Sequence, residues 1–407
     1  MADVLLINIY GADGPNALPG VFAELAARDL NVLDMGQSVI HNHLSLGILV
    51  ALPDGVEQDD LQKSLGEAIV GQDLSVNFEA VTAGSYQQWV AEQGQSRHIV
   101  TLLARVVQAQ HIAAVTRVAA DHGLQVDGVQ RLSGRVDLSL AGGGASEELS
   151  RSCMELSVRG TPKDLSQLRQ DLMAISNELD VDVAVQEDNI YRRTRRLVCF
   201  DMDSTLIEAE VIDELAYRAG IGEKVAEITE SAMRGEIDFK ESFAKRMALL
   251  NGLSETVLED IANNLPIMEG AERLFATLKK LGYKTAILSG GFNYFARHLQ
   301  QKLGVDYIFA NELEIEDGKV TGRVTGEVVD GARKAKLLQE IAEKEGLSLE
   351  QVIAVGDGAN DLPMLGLAGL GVAFRAKPLV REKADHAISQ LGLDGVLYLL
   401  GVNDRHV

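Results

Sequence analysis

The sequence predicts an α/β protein: a parallel sheet covered on both faces and topped by a helical cap, preceded by two small α+β modules of one design. Three observations carry that expectation. In the second half, the apolar runs LVCFDMDST, KTAILSGG and VIAVGDG each end in acidic or small polar residues and lead into a helical pattern, as strands buried on both faces do. Between the first and second of these runs lie about 70 residues of helical character, too many for a simple crossover. The first half passes twice through the order strand-helix-strand-strand-helix-strand, the ferredoxin-like arrangement.

Taken in order, residues 1–90 read as VLLINIY (strand), LPGVFAELAARDL (helix), NVLDMGQSVI and LSLGILVAL (strands), DLQKSLGEAIVG (helix) and LSVNFEAV (strand). Residues 97–188 repeat the series from HIVTLLARV to DVDVAVQED, with a Gly-rich excursion, AGGGASEE, in the middle. ARDLNVLDM and ADHGLQVDGV fall at corresponding places, so the two modules read as divergent copies. The run Arg192, Arg193, Arg195, Arg196 reads as a solvated linker where the halves of the chain separate. A third domain is expected over 189–407, with the inserted helices, about 208–268, closing over the strand ends. Residues 311–330 alternate at period two around Asp317-Gly318, a hairpin signal.

Composition narrows the function. A formal net charge of −22 argues against nucleic acid, whose backbone needs concentrated Lys and Arg. One phosphate group can still be held by a local cation cluster or a metal. The two cysteines, Cys153 and Cys199, offer neither a disulfide framework nor metal-knuckle spacing. The opening MADVLLINIYGADG has no basic leader or signal-like apolar core, and no run approaches the roughly 20 apolar residues that span a bilayer. A soluble cytoplasmic protein is expected.

In open parallel sheets, ligands bind beyond the carboxyl ends of the strands. Those ends carry Asp201 and Asp203, then Ser289 with Gly290 and Gly291, then Asp357 with Asn360 and Asp361. Acids at the mouth of buried strands cost desolvation unless compensated. Several converging carboxylates share protons or bind a cation. With oxygen ligands alone and no His or Cys nearby, a hard ion such as Mg²⁺ is favoured over zinc. Asp-x-Asp-x-Thr alone is weak evidence. Followed in order by strand-Ser-Gly-Gly, a helix-start Lys334 and strand-Gly-Asp-x-x-x-Asp, it is strong. Helix caps and turns explain Ser289 or Asp203 singly and leave the series unexplained.

From about residue 196 to 400 that series resembles the haloacid dehalogenase-like phosphohydrolases, Rossmann-like sheets with a helical cap. FDMDSTLIEAE, FKESFAKRMALL, MEGAERLFATLKKLGYKTAILSGGF and VGDGANDLPML are similar, almost word for word, to the phosphoserine phosphatase family. The resemblance implies hydrolysis of O-phospho-L-serine to L-serine and phosphate, the last step of L-serine biosynthesis, through an aspartyl phosphate. It makes Asp201 the nucleophile and Asp203 the acid and base. It places Mg²⁺ on the Asp201 carboxylate, the Asp203 backbone carbonyl and Asp357, with Asp361 supporting them. Ser289, the Gly290 amide and Lys334 are expected on the phosphoryl oxygens. A phosphatase or phosphotransferase acting on another small amino-acid phosphate remains the alternative. An inactive sensor would have lost the nucleophile, the lysine or a metal carboxylate, and none is lost.

Specificity is expected from the cap. Phe239, Phe243, Met247 and Leu250 form an apolar stripe on one helix, with Arg246 on or beside it. Such an arginine either snorkels or reaches inward to a carboxylate. The resemblance assigns Arg246 to the substrate carboxylate and Glu210 to its ammonium. It adds Met233 and Phe239 as an apolar lid and Asn360 as a substrate or water contact. The first two modules resemble ACT domains, which bind amino acids and pair through their sheets. That implies a homodimer and an L-serine or other amino-acid effector. The first copy, however, reads Asp13-Gly14-Pro15-Asn16 where those domains often carry Asp-x-Pro-Gly, and Val107-Gln108-Ala109-Gln110 in the second keeps nothing of that turn.

Overall fold

The computed structural model describes residues 3–14, 17–53, 55–135, 150–233, 236–237 and 239–407. Two compact units divide them, Met1–Gln95 and Ser96–Val407. In the first, strands β1 (Asp3–Ala12), β2 (Asn31–Ile40), β3 (His43–Leu52) and β4 (Leu74–Val81) form an antiparallel sheet in the order β2-β3-β1-β4. Its core joins Leu5, Ile7 and Ile9, alternate residues of β1, to Val21 and Leu25 of one helix and Leu61 and Leu65 of another. The period-two pattern therefore does set the buried face. The helix Ala83–Glu92 follows β4 and has no fully buried residue, so apolar periodicity gave no sign of it.

The second unit begins with the same topology. Strands β5 (Arg97–Ala104), β6 (Gln125–Arg131), β7 (Ser152–Arg159) and β8 (Asp182–Glu187) pair in the order β6-β7-β5-β8. The helices Ala109–Asp121 and Leu165–Leu179 bury Val115, Ala119, Leu168 and Leu172 in the core of this module. The Gly-rich excursion falls outside the described residues.

A seven-stranded sheet follows, built from β9 (Leu197–Phe200), β10 (Lys284–Phe292), β11 (Tyr307–Glu316), β12 (Lys319–Thr325), β13 (Val352–Gly356), β14 (Leu370–Phe374) and β15 (His386–Ile388). Its order is β12-β11-β10-β9-β13-β14-β15, and the pairs from β11 to β15 are parallel. β9, β13 and β14 are buried along their whole length, which is why they read as continuous apolar runs. β11 and β12 form the expected hairpin, with Asp317 at φ 50 and Gly318 at φ 72. Two positive φ values in succession are what a two-residue hairpin turn requires. Among the described residues the cap is four helices, Val211–Arg218, Gly222–Met233, Phe239–Leu249 and Glu255–Asn263. The hairpin props it up: Gly252 N–H donates to the Val320 carbonyl at 2.8 Å, and Val320 N–H to that of Leu253 at 2.9 Å.

The arginine run is only half solvated: Arg193 and Arg196 are exposed, but Arg192 and Arg195 are not. Arg192, on the short helix Ile190–Thr194, is only 2 % exposed and pairs with Glu155 of β7. Arg195 is also buried. The reason is that the second module lays its sheet on the large domain. Leu103, Leu132, Cys153 and Ala184 share one hydrophobic cluster with Phe200, Phe275 and Tyr398. Asp182 accepts from the Ser389 and Gln390 N–H groups at 2.7 Å each, Gln186 Nε2 donates to the Leu399 carbonyl at 3.0 Å, and Arg105 grips Glu269 with two bonds of 2.7 Å. A run of like charges reads as solvated only while its partner, 37 residues earlier in the chain, is out of sight. No helix among the described residues is long and apolar enough to cross a membrane.

Candidate active site

The chain leaves β9 at Asp201, whose N–H donates to the Val355 carbonyl of β13 at 2.9 Å. This bond fixes the carboxylate between the two central strands. Its Oδ1 accepts from Met202 N–H at 2.7 Å and from Lys334 Nζ at 2.8 Å. Lys334 lies on the helix Gly331–Lys344, capped by Asp330, and is completely buried. It also donates to Asp361 Oδ1 at 2.7 Å, and Asp361 Oδ2 accepts from Gly358 N–H at 2.9 Å. A fully buried lysine survives only when paired, and here two aspartates pair it. Asp361 therefore aims Lys334 at Asp201.

Asp203 follows two residues later. Its Oδ1 accepts from Val211 N–H at 3.0 Å, which ties the carboxyl to the first turn of the cap. Between them Ser204 adopts φ 56, the left-handed region that costs a non-glycine residue energy. Ser204 Oγ donates to Glu210 Oε1 at 2.9 Å. Thr205 Oγ1 donates to Asp357 Oδ1 at 3.2 Å. Two glycines make room for these acids. A Cβ on Gly291 would lie 2.5 Å from Asp203 Oδ2, and one on Gly356 would lie 2.5 Å from Asp361 Cγ. Ser289 is fully buried, its Oγ accepting from Gly291 N–H at 2.9 Å. The Gly290 carbonyl accepts from Asn311 Nδ2 at 2.7 Å, and Asn311 Oδ1 accepts from Val329 N–H at 2.9 Å. Asn311 thus orients the Gly290 peptide.

A cleft of about 450 Å³ opens over these groups. Of the residues expected from sequence, Asp201, Asp203, Asp357, Gly290 and Asn360 form its floor and sides, with Glu210 and Arg246 contributed from the cap. Ser289 and Lys334 are fully buried and do not line it. Met233 and Phe239 fall at helix ends whose side chains lie outside the described residues. Arg246 sits among the buried Ser242, Phe243 and Met247, and its Nε is buried without a hydrogen-bond partner. Two groups were not legible in the sequence, Asn311 and Lys377. Lys377 lines the cleft from just beyond β14, and neither belongs to a spaced motif.

The floor carries more negative charge than it can hold alone. Burial raises the pKa of Asp201 well above the ordinary value, and the charge of Asp361 raises it further against the pull of Lys334. Burial and then Glu210 push Asp203 up to about 8. Asp357 is pushed up to about 6 by burial, then by Asp361 and Glu210. Burial alone disfavours the Lys334 ammonium, but Asp201 and Asp361 outweigh it and raise its pKa. Oxygens of Asp201, Asp357 and Asp361 lie within 4.8 Å of one another. An all-oxygen set with this surplus of negative charge fits a hard divalent cation.

Acid-tipped parallel strands, a buried lysine and a helical cap define a class, and the comparisons agree. The family profile of the haloacid dehalogenase-like hydrolases matches residues 195–369, and that of the ACT domain matches residues 3–79. The phosphoserine phosphatase SerB2 of Mycobacterium tuberculosis is 41 % identical over 399 residues, which are 98 % of this chain and 93 % of that protein. The phosphoserine phosphatase of Streptomyces coelicolor is 40 % identical over 403 residues, 99 % and 93 % of the two chains. Among solved structures, the unliganded probable phosphoserine phosphatase of Vibrio cholerae superposes with a TM-score of 0.60 at 34 % identity, over 76 % of this chain and 88 % of that one. The chain belongs to the phosphoserine phosphatase family.

Proposed function

We propose that this chain is a magnesium-dependent phosphoserine phosphatase that hydrolyses O-phospho-L-serine to L-serine and phosphate through a phosphoaspartate on Asp201. The observation that carries this reading is one cleft with Asp201 at its floor, paired from beneath by the buried Lys334, and Arg246 and Glu210 on its cap side. It offers an attacking carboxylate to phosphorus and a charged site of each sign to an amino acid.

An Asp201 oxygen attacks phosphorus, and the bond from phosphorus to the serine oxygen breaks. Asp203, whose carboxyl is held above the usual carboxylate range by burial and by Glu210, gives its proton to that leaving oxygen. The Asp203 carboxylate then takes a proton from water, whose oxygen attacks the phosphoaspartate, releasing phosphate and restoring Asp201. Lys334, Ser289 and the Gly290 amide hold the phosphoryl oxygens, and Arg246 and Glu210 hold the carboxylate and ammonium of the substrate. Asp201, the Asp203 backbone carbonyl and Asp357 would hold Mg²⁺. When bound, the ion neutralises phosphate charge so that one anion can attack another. The ACT-type first module supports pairing of two copies and binding of an amino-acid effector such as L-serine. Two free, buried cysteines and a metabolic substrate suit action in the cytoplasm.

Asp201→Asn removes the nucleophile at nearly constant shape, so phosphate release from O-phosphoserine should vanish while the circular dichroism spectrum stays native. Chelation of Mg²⁺ should abolish release reversibly. Activity that survives both treatments sinks the mechanism, and equal rates on phosphosugars sink the substrate.

A further inference from the structure

Lys377 has no place in the mechanism above, yet it lines the same cleft as Asp201, Glu210 and Arg246. The fold accounts for its position. β14 is hydrogen-bonded to β13 and runs parallel to it, so the segment after Phe374 emerges at the same end of the sheet as Asp357. Arg375 adopts φ 43 at the turn and is held by Glu269 at 2.6 Å. Lys377 then caps the helix Pro378–Lys383 through its backbone carbonyl, which accepts from the Val380 and Arg381 N–H groups. The backbone is thus fixed on both sides while the side chain is exposed. Its ammonium makes no hydrogen bond or ion pair with any described residue, whereas the neighbouring Arg375 is fully engaged.

Glu210 feels both cations. Lys377 and Arg246 each favour its ionised form against burial and Asp213. One cleft therefore brings together a single carboxylate from the cap, Glu210, and two cations, Arg246 and Lys377. A substrate ammonium would satisfy Glu210, and an adjacent carboxylate would meet Arg246 on the cap and Lys377 just beyond the sheet. In the mechanism above, phosphate is already served by Lys334, buried beneath the floor. Resting on the phosphoserine reading above, we propose that Lys377 is a specificity-determining residue: it supplies the second cation for the substrate carboxylate and so selects phosphorylated amino acids over phosphorylated amines.

The test compares O-phosphoserine with O-phosphoethanolamine, which keeps the phosphate and ammonium and lacks the carboxylate. In the full-length protein with Mg²⁺, Lys377→Gln should lower kcat/KM for phosphoserine about tenfold, mainly through KM, with less than about a twofold change for phosphoethanolamine. Lys377→Arg should restore most of the phosphoserine value. Equal losses on both substrates would assign Lys377 to general attraction of phosphate or to folding and overturn the proposal, as would no loss on either. A wild-type enzyme that does not prefer phosphoserine to phosphoethanolamine overturns the substrate reading itself, and this inference with it.

Discussion

Asp203 is a carboxylic acid that keeps its proton to about pH 8, and this affects stability as well as catalysis. In the unfolded chain the same group ionises near 4. Between about pH 4 and 8 the folded state therefore binds more protons than the unfolded one, and stability falls as pH rises. Asp357, with its pKa near 6, adds to the same trend over the lower part of the window. The midpoint of urea unfolding in chelator should accordingly drop from pH 5 to pH 8, and saturating Mg²⁺ should flatten the slope. A midpoint that rises with pH in chelator would mean that Lys334 already balances the floor. The carboxylates at the strand ends were legible in sequence because each terminates an apolar run. Asn311 and Lys377 were not, because one acts through two backbone groups and the other stands alone beyond its strand.

The cap helix Phe239–Leu249 shows what periodicity can and cannot settle. Phe243, Met247 and Leu250 are buried as their spacing requires, but the side chain of Arg246 could not be placed by spacing alone. Its partly buried guanidinium, with Nε unsatisfied, is a group awaiting a partner. Arg246→Ala should weaken use of O-phosphoserine by about 2–5 kcal/mol, as loss of one member of a buried charge pair does, and spare phosphates that lack a carboxylate. Because the guanidinium makes no ion pair among the described residues, the melting temperature should hardly move. Loss of folding in this variant would make Arg246 a structural residue. The hairpin β11–β12 was readable from Asp317-Gly318, since few dipeptides accept two positive φ values. The helix Ala83–Glu92 was not, since it buries no residue fully and so shows no apolar period.

At the scale of the molecule, the two modules resemble each other in topology and differ in attachment. The second shares its core with the phosphatase sheet, whereas residues up to Gln95 form a compact unit of their own. A chain of residues 96–407 should therefore fold and hydrolyse phosphoserine. One beginning near Gln186 should aggregate or melt at a markedly lower temperature, because it bares the apolar surface that Leu103, Leu132 and Cys153 cover and leaves Arg192 without Glu155. Thermal melts and phosphate release on the two truncated chains decide the point. Equal stability would restore the arginine run as a domain boundary.

The bonds that join the second module to the large domain also set an order of events during synthesis. Val185, Asp182 and Gln186 find their partners 201, 207 and 213 residues further along the chain. At the usual pace of translation, about 5–20 residues per second, the completed module waits on the order of 10–40 s with one sheet face bare. Over that interval the face is open to any chaperone or neighbouring nascent chain. The exposure ends only when the segment around residues 386–404, which carries His386, Ser389, Leu399 and Asp404, emerges to cover that face.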